Sequence, residues 1–348
     1  MKILIIGSER NWAFENHYIK HLKKSSEVVS LPAHDYFYDY YYKSIWNKIK
    51  FRTGFSRIYH RINNRVLENI FLNHYDVVWI FKGMEIYPQT IREIRKTGTK
   101  VVNFNPDHPF LHTFKGSGNR NVRDSVPEYD LHLCYNLQVK EKIEKEYKIQ
   151  AEWLPFGYEP HENIILPSQS NEIKRACFIG NPDKYRAEVL SDLATTGIAV
   201  DIYGDNWQQW IRTLDSMDIN FYPAVFKKDF NTVATQYRLQ LNIFRPHNVN
   251  SHNMRSIEMP GLGCIMLAPK SQEHNLLFKE NSEAVFYNNI EEMKTKANNL
   301  LKMPYEQALA LRKNALQRSQ VSGYSYRDHT EKVLEIFQRL TKRSQSHA

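Results

Sequence analysis

The sequence is poor in glycine, proline and cysteine, and it has no long apolar run. Only 13 of its 348 residues are glycine and 14 are proline, which excludes collagen-like and low-complexity chains. No apolar stretch approaches the roughly 20 residues of a membrane-spanning helix. The three cysteines, Cys134, Cys177 and Cys264, lie far apart in the sequence. This odd, scattered set argues against a disulfide framework or a zinc site, and it favours reduced core thiols in a cytosolic protein.

Three short motifs of phosphate and metal chemistry are also missing. Neither Gly-x-Gly-x-x-Gly nor Gly-x-x-x-x-Gly-Lys-Ser/Thr occurs, so NAD-dependent hydride transfer and P-loop chemistry lack their fingerprints. No Asp-x-Asp occurs either. We therefore expect no metal and no other cofactor.

The residues that are present describe a globular chain with one strongly basic segment. Hydrophobic residues make up 42% and charged residues 24%, so the chain can bury a core and is not globally disordered. Much of the net charge of +9 comes from the segment between Lys43 and Arg65, where seven lysines and arginines occur without an aspartate or glutamate. Such a local excess indicates an anionic partner.

Apolar strands alternate with amphipathic helices along the chain, and the pattern runs twice. Continuous apolar strands such as Asp76–Phe81 are typical of a parallel sheet that is covered on both faces. The polar stretch Glu159–Glu172 interrupts the pattern, and Arg175–Gly180 restarts it. The sequence therefore predicts an α/β fold of two Rossmann-like domains, residues 1–158 and 172–325, which face each other across a cleft. Parallel sheets bind ligands at the carboxyl ends of their strands, so this cleft is the predicted site.

The first candidate site follows the restarted strand, where Phe178–Gly180 runs through Asn181 into a helix. Backbone amides at a helix start attract phosphate, and Lys184 and Arg186 can add charge-assisted bonds to a pyrophosphate. An ordinary strand-to-helix turn with solvated basic residues explains the same pattern, so both interpretations stay open.

The second candidate is the segment His247–Gly263, which follows a buried strand and opens a short helix. Its asparagine, serine and histidine residues offer many hydrogen-bond donors to a phosphate or a sugar. Glu258, inside the helix, is suited to accept hydrogen bonds from the vicinal hydroxyls of a ribose. The alternative is an exposed helix glutamate beside a polar loop.

The third candidate is Asn105–Pro109, at the carboxyl end of a strand in the first domain. Asp107 or His108 can act there as a base on an acceptor hydroxyl, although a simple turn is an equal alternative. A Gly-rich loop that follows is predicted to be a mobile lid over the acceptor; its polar residues include His112, Lys115 and Arg120.

The fourth candidate is the basic segment 43–65, part of an aromatic helical insertion at about 35–73. Isoleucines recur at helical spacing in it, with aromatic residues nearby. Cationic amphipathic helices lie on anionic membrane surfaces. The same composition fits nucleic acid, which is the least favoured partner, or a plain insertion that packs on the first domain with a solvated basic face.

Several motifs resemble, in the right order, the spore-maturation-protein branch of the group 1 glycosyltransferases of GT-B type. Asn253–Leu267 resembles the Arg-x-x-Glu-x-Pro-x-x-Gly segment of that branch. The similar pieces cover most of residues 76–287. The other similar pieces are Lys82–Gly83, Pro106–Pro109, Leu154–Gly157, Phe178–Gly180 with Tyr185–Arg186, and Ile202–Trp207.

The resemblance implies a hexosyltransferase that uses a nucleotide-diphosphate sugar. It implies that Glu258 holds the ribose, that Arg186 neutralises the pyrophosphate, and that Phe221–Val225 lies near the nucleobase. It also implies that a C-terminal helix at 326–348 packs back on the first domain. Asn250 stands where the wider superfamily often has a glutamate. The expected donor-binding residues are Gly180, Asn181, Lys184, Arg186, Tyr203, Pro223, Val225, Asn250, Asn253, Met254, Arg255 and Glu258.

The sequence thus predicts a metal-independent glycosyltransferase, with Asp107, His108 and Arg186 as its catalytic residues. The expected acceptor is a cell-envelope glycan, a glycolipid or a protein, met in the cytoplasm or at the inner face of the membrane. Two alternatives remain. One is another sugar-nucleotide enzyme, such as an epimerase, and the other is a non-catalytic protein that binds nucleic acid or the cell envelope through segment 43–65.

Overall fold

The computed structural model describes residues 1–111, 117–161, 163–212, 217–245 and 250–345. Its contacts divide the chain into two compact units. Unit 1 comprises Met1–Pro155 together with the C-terminal residues from Tyr326, and unit 2 comprises Phe156–Ser325. Among the described residues, no helix is both long and apolar enough to cross a membrane.

Unit 1 is built on a six-stranded parallel sheet in the order β2-β1-β3-β4-β5-β6. The strands are β1 (Lys2–Ile6), β2 (Glu27–Leu31), β3 (Val77–Phe81), β4 (Lys100–Asn105), β5 (Leu131–Cys134) and β6 (Ala151–Trp153). All five residues of β3 are buried, because helices cover both faces of the sheet. The helices are α1 (Glu15–Leu22), α2 (Ala33–Lys43), α3 (Ile45–Arg52), α4 (Ile58–Leu72), α5 (Pro88–Lys96), α6 (Arg120–Asp124), α7 (Leu137–Lys142) and the C-terminal α14 (Tyr326–Gln345).

The C-terminal helix α14 packs inside unit 1, against α1 and the buried strand β3. The ring of Tyr326 lies 5.2 Å from that of Tyr18, and the ring of Phe337 lies 5.4 Å from Trp79. Unit 1 is therefore assembled from two stretches of chain that the whole of unit 2 separates in the sequence.

Unit 2 repeats the architecture with a parallel sheet in the order β12-β11-β10-β7-β8-β9. The strands are β7 (Ile173–Ile179), β8 (Val200–Tyr203), β9 (Ile219–Tyr222), β10 (Tyr237–Leu241), β11 (Met266–Pro269) and β12 (Val285–Tyr287). The helices are α8 (Lys184–Ala194), α9 (Lys227–Gln236), α10 (Met254–Gly261), α11 (Gln272–Leu277), α12 (Ile290–Lys302) and α13 (Tyr305–Val321). The predicted α/β class with two Rossmann-like units is confirmed.

A buried ionic cluster joins the start of β7 to the helices beneath the sheet. The side chains of Glu172, Arg238 and Arg312 are all fully buried. Glu172 accepts from Arg238 Nε at 2.6 Å and from Arg312 Nη2 at 3.0 Å. From the sequence, Glu172 was expected to end a polar linker. In the structure its single carboxylate bridges two core guanidinium groups that no local pattern brings together.

Tyr237 is the first residue of β10, and its hydroxyl donates to Asp201 Oδ2 at 2.6 Å. Strand β9 was not predicted. It is a short edge strand of alternating exposure that includes Asn220, so it lacks the continuous apolar run of the central strands.

Candidate functional site

Two glycine-bearing turns lie side by side at the carboxyl edge of the unit 2 sheet, after β7 and β8. Trp207 Nε1 donates to the carbonyl of Gly180 at 2.9 Å and so ties the two turns together. A Cβ atom on Gly204 would lie 2.3 Å from that same carbonyl oxygen. Only glycine fits there, because the two backbones approach too closely for a side chain.

A cluster of three arginines occupies this edge, close to the end of β7. Arg186, on α8, donates from Nε to the carbonyl of Ile243 at 3.0 Å and from Nη1 to that of Asn181 at 3.1 Å. Arg255, on α10, donates from Nε to the last carbonyl of β7 at 3.4 Å. Arg245 follows β10, the neighbour of β7, and lies 3.5 Å from the Asp183 carboxylate. We call Arg186, Arg245 and Arg255 the arginine cluster.

Electrostatics at the arginine cluster favour an added anion. The pKa of Arg186 is lowered to about 10, mainly by burial; Asp183 opposes this shift, and the positive charges of Arg245 and Arg255 contribute to it. Two carboxylates contact the three guanidinium groups. Asp183 lies 3.5 Å from both Arg186 and Arg245, and Glu258 pairs with Arg255. A phosphate placed here would relieve the repulsion that remains.

The start of α8 differs from the predicted phosphate site, because an aspartate caps it and Lys184 points away. The side chain of Asp183 is the N-cap and accepts from the backbone amide of Arg186 at 3.0 Å. One of the backbone amides that was expected to donate to phosphate therefore already donates to a carboxylate. Lys184 points outward, with 84% of its side chain exposed and its ammonium 3.9 Å from Glu188. Positive charge at this edge comes from the arginine side chains rather than from Lys184.

The second sequence segment forms the start of α10 and is held by a buried hydrogen-bond network. Asn253 caps the helix by accepting from the amide of Ser256, and the Ser256 hydroxyl lies 2.7 Å from His274 Nε2. Burial lowers the pKa of His274 to about 3, so the ring is neutral. Its Nδ1–H donates to the carbonyl of Pro269 at 2.7 Å, and Nε2 therefore accepts from Ser256. This network fixes the direction in which α10 and its first residue, Met254, approach the sheet.

Glu258 lies one turn along α10, half-buried, and pairs with Arg255. The guanidinium of Arg255 also lies over the ring of Phe230, with its carbon 4.2 Å from the ring centroid. Arg255 is thus held between an aromatic face and a carboxylate. Residues three apart share one face of a helix, and the pair therefore places a positive and a negative group together.

The remaining donor-site predictions lie at other points of unit 2. Tyr203, the last residue of β8, stacks on Tyr222 at 4.6 Å, and its hydroxyl lies 3.0 Å from that of Tyr237. Pro223 is exposed and Val225 half-buried; both follow the edge strand β9, two strands away from β7. Asn250 is exposed and has a left-handed backbone, with φ of 55°. Residues 247–249 of the second candidate lie outside the described residues.

At the carboxyl edge of the unit 1 sheet, the predicted base residues are already engaged. Asp107 Oδ2 lies 2.7 Å from the ammonium of Lys82, which has a left-handed backbone with φ of 62°. His108 Nδ1 accepts from the amide of Phe110 at 3.3 Å. Asp107 is therefore already paired with Lys82 in this structure.

A histidine–glutamate pair that the sequence analysis missed lies at the same edge. His34 Nδ1 lies 2.6 Å from Glu85 Oε1, and 19% of the His34 side chain and 5% of the Glu85 side chain are exposed. His34 follows β2 and Glu85 follows β3, two strands that flank β1 in the sheet. Both residues come shortly after predicted strands, so inspection of every strand end was the signal that could have found them.

Two further carboxylates, Glu15 of α1 and Asp35 of α2, accept hydrogen bonds from the loop after β1. The Ser8 amide donates to Glu15 Oε1 at 2.7 Å, and the Ser8 hydroxyl donates to Asp35 at 2.6 Å. Burial raises the pKa of Glu15. The backbone amide of His34 donates to the carbonyl of Gly7 at 3.0 Å, which ties the start of α2 to the residue that follows β1.

Only part of the predicted lid lies within the described residues. His112 and Lys115 lie outside the described residues. Arg120 begins α6, with 85% of its side chain exposed and a partner in Asp124 at 2.9 Å. Within the described ranges, no group of three or more histidine, cysteine, aspartate or glutamate side chains is arranged to hold a metal ion.

Comparison with known proteins gives a family match over unit 2 and a fold match over the whole chain. Residues 185–335 match the family model described as glycosyl transferase-like. No curated protein sequence matches the chain. Sucrose-phosphate synthase from Thermosynechococcus elongatus superposes with a TM-score of 0.70 at 10% identity, over 99% of this chain and 100% of that one.

Two further structures share the fold. HepE from Anabaena, in complex with UDP and glucose, has a TM-score of 0.66 at 12% identity and covers 97% of this chain and 100% of its own. A putative UDP-N-acetylglucosamine 2-epimerase from Listeria monocytogenes has a TM-score of 0.58 at 13% identity, with 96% and 94% covered. Residues 185–335 thus match a glycosyl transferase-like family model, and the whole chain has the two Rossmann-like units of the GT-B fold that these structures share.

Proposed function

We propose that this protein moves a sugar from a nucleotide-diphosphate sugar to an acceptor hydroxyl, with the donor bound by unit 2 and the acceptor by unit 1. The arginine cluster at the carboxyl edge of the unit 2 sheet is the observation that carries the proposal. UDP and glucose are the ligands of the Anabaena structure, and they support this donor class.

The proposed chemistry needs positive charge where the arginine cluster supplies it. The acceptor oxygen attacks C1 of the sugar, the bond between C1 and the phosphate oxygen breaks, and the nucleoside diphosphate leaves with the electron pair. Negative charge develops on the leaving oxygen, and fixed guanidinium groups stabilise it without reorganisation at the moment of reaction. We propose that the arginine cluster does this without a divalent ion.

We propose that His34 is the base that removes the acceptor proton. Its Nδ1–H points to the buried Glu85 carboxylate, which fixes the tautomer and leaves the lone pair on Nε2. The carboxylate also stabilises the imidazolium that forms when the proton arrives. Asp107 and His108 have neighbours that suit them less well to this role.

Glu258 is proposed to accept from the ribose hydroxyls of the donor through Oε1, while Oε2 stays paired with Arg255. The motifs that carry this role are those of the spore-maturation-protein branch, to which we assign the chain. We propose a cell-envelope glycan, a glycolipid or a protein as the acceptor. We also propose a cytoplasmic location, because Cys134, Cys177 and Cys264 are all buried free thiols.

Calorimetric titration with UDP and UDP-glucose tests the donor site. Arg245→Ala and Arg255→Ala each remove a charged hydrogen bond of about 1.5–3 kcal/mol, so we expect the Kd to rise about 10- to 100-fold. Lys184→Ala removes a positive charge from the same end of unit 2 but lies outside the cluster, and it should change the Kd less than about two-fold. Equal effects of all three variants would contradict the assignment.

Steady-state kinetics with a hydroxyl acceptor test the base. His34→Asn should lower kcat by about 100-fold or more while the Kd for UDP stays unchanged, since general-base catalysis contributes this much. His60→Asn, an exposed histidine of the same unit, is the matched control. Activity that persists in EDTA would support the metal-free mechanism. Consumption of the donor with no acceptor and no release of nucleoside diphosphate would identify the epimerase alternative instead.

A further inference from the structure

One helix of unit 1 carries most of its apolar side chains on the outside. Helix α3 has no buried residue. Ile45, Trp46 and Ile49 are 63%, 68% and 43% exposed, and Tyr42 and Phe55 on either side of the helix are 57% and 83% exposed. We call these five residues the apolar patch. Several large apolar side chains exposed close together mark an interaction site rather than ordinary surface.

The apolar patch is displayed by a well-anchored helix. Phe51, on the inner side of α3, packs its ring 4.8 Å from Phe37 and 5.3 Å from Tyr59. Ser44 caps the helix by accepting from the amide of Asn47 at 3.1 Å. The outward direction of Trp46 and the isoleucines is therefore set by packing on the opposite face of α3.

Positive charge surrounds the apolar patch. Residues 43–65 hold seven lysines and arginines and no aspartate or glutamate. The basic residues are Lys43, Lys48, Lys50, Arg52, Arg57, Arg61 and Arg65. All but Lys48 are exposed. Lys48 instead lies over the ring of Tyr42, with its ammonium 4.9 Å from the centroid.

We propose that α3 and its flanks dock this protein on an anionic lipid surface, with the apolar patch inserted at the headgroup boundary and the basic residues on the lipid phosphates. Tryptophan and tyrosine prefer that boundary, and lysine and arginine stems reach back to the headgroups. A second copy of the chain fits worse, because the same interface would bring two uncompensated basic segments together. Nucleic acid fits worse too, since Ile45 and Ile49 offer neither stacking nor charge.

Flotation of the full-length protein with lipid vesicles tests the docking. We expect binding to vesicles with 30 mol% phosphatidylglycerol and at least 10-fold weaker binding to pure phosphatidylcholine. Trp46→Ala with Ile49→Ala should weaken binding at least 10-fold. Phe71→Ala with Leu72→Ala is the matched control, because these residues of α4 are also exposed, at 66% and 83%, but lie outside segment 43–65. That control should bind within two-fold of the parent.

Charge is tested separately from apolar contact. Lys50→Glu with Arg52→Glu should abolish binding in 0.1 M salt, whereas Lys96→Glu with Lys145→Glu should not; these two control lysines are 70% and 77% exposed. All variants should keep the parent's melting temperature and its Kd for UDP, so that loss of docking is separable from loss of fold or donor binding.

Three results would overturn the proposal. The first is equal binding to both vesicle types. The second is vesicle binding that survives replacement of Trp46 and Ile49. The third is a dimer, or a complex with single-stranded RNA tighter than that with vesicles, which the same double substitution removes.

Discussion

Removing the buried carboxylate of Glu172 should destabilise unit 2 strongly. The single carboxylate of Glu172 pairs with both Arg238 and Arg312, and all three side chains are fully buried. Glu172→Gln keeps the shape but leaves the guanidinium groups without a counter-charge. Breaking a buried ion pair from one side costs about 3–5 kcal/mol. With a urea m value of roughly 2 kcal/mol/M, that corresponds to a midpoint lowered by about 1.5–2.5 M.

Replacing Arg238 and Arg312 by apolar residues together with Glu172 would also lower the stability of unit 2. Arg312 donates to the carbonyls of Thr235, Gly263 and Tyr237 at 2.6–3.3 Å, and Arg238 donates to two more in the α12 region. An apolar residue in either place would leave main-chain carbonyls buried without a donor, which carries its own penalty. The cluster therefore acts as a single unit that links the strands to the helices.

The assay must report on unit 2 alone, since a two-unit chain need not unfold in one step. Hydrogen exchange can be measured by mass spectrometry in increasing urea. Peptides from β7 and β10 then report the unfolding of unit 2. The matched control is Glu188→Gln, an exposed glutamate of α8 whose nearest ammonium is 3.9 Å away and which should cost less than about 1 kcal/mol. A loss below about 1 kcal/mol for Glu172→Gln would refute the reasoning.

Three further changes have defined outcomes. Gly204→Ala forces a Cβ to within 2.3 Å of a backbone oxygen, so unfolding free energy should fall by about 1–3 kcal/mol and UDP should bind more weakly, by denaturation and titration. Burial lowers the pKa of His132 to about 4, below its ordinary value of about 6.5. The folded state thus disfavours the protonated ring, stability is full above pH 6.5 and declines towards pH 4, and His132→Gln should flatten the melting temperature between pH 7 and pH 5. Tyr237→Phe removes the hydrogen bond to Asp201 and should cost about 1 kcal/mol in urea denaturation, because Asp201 keeps Arg175 as a partner.

The central strands and several helix starts could be predicted because their signals are local. Strand β3 is apolar at every position, since both faces of the sheet are covered, and Pro88 marks the first turn of α5. The edge strand β9 could not be predicted in this way, because a half-exposed strand alternates polar and apolar residues and lacks a continuous apolar run. The N-cap role of Asp183 was available from its place before a helix. It would have warned that the start of α8 already carries a carboxylate.

The parts of the candidate site that depend on sheet order were beyond local reasoning. His34 and Glu85 are 51 residues apart and meet only because β2 and β3 flank β1. Arg245 reaches Asp183 because β10 pairs with β7, although five elements of chain separate the two strands. The sequence motifs lie at the carboxyl edges of both sheets. The pairing of strands decided which side chains share them.

The return of α14 to unit 1 has a consequence for how the chain comes into being on the ribosome. Residues 326–345 are translated after all of unit 2, yet Trp79 and Tyr18 need Phe337 and Tyr326 as cover. The first 155 residues must wait, with apolar side chains uncovered, while the middle of the polypeptide completes its own core. Nascent chains halted before codon 326 should therefore recruit chaperones through unit 1, and release of the last helix should end that association.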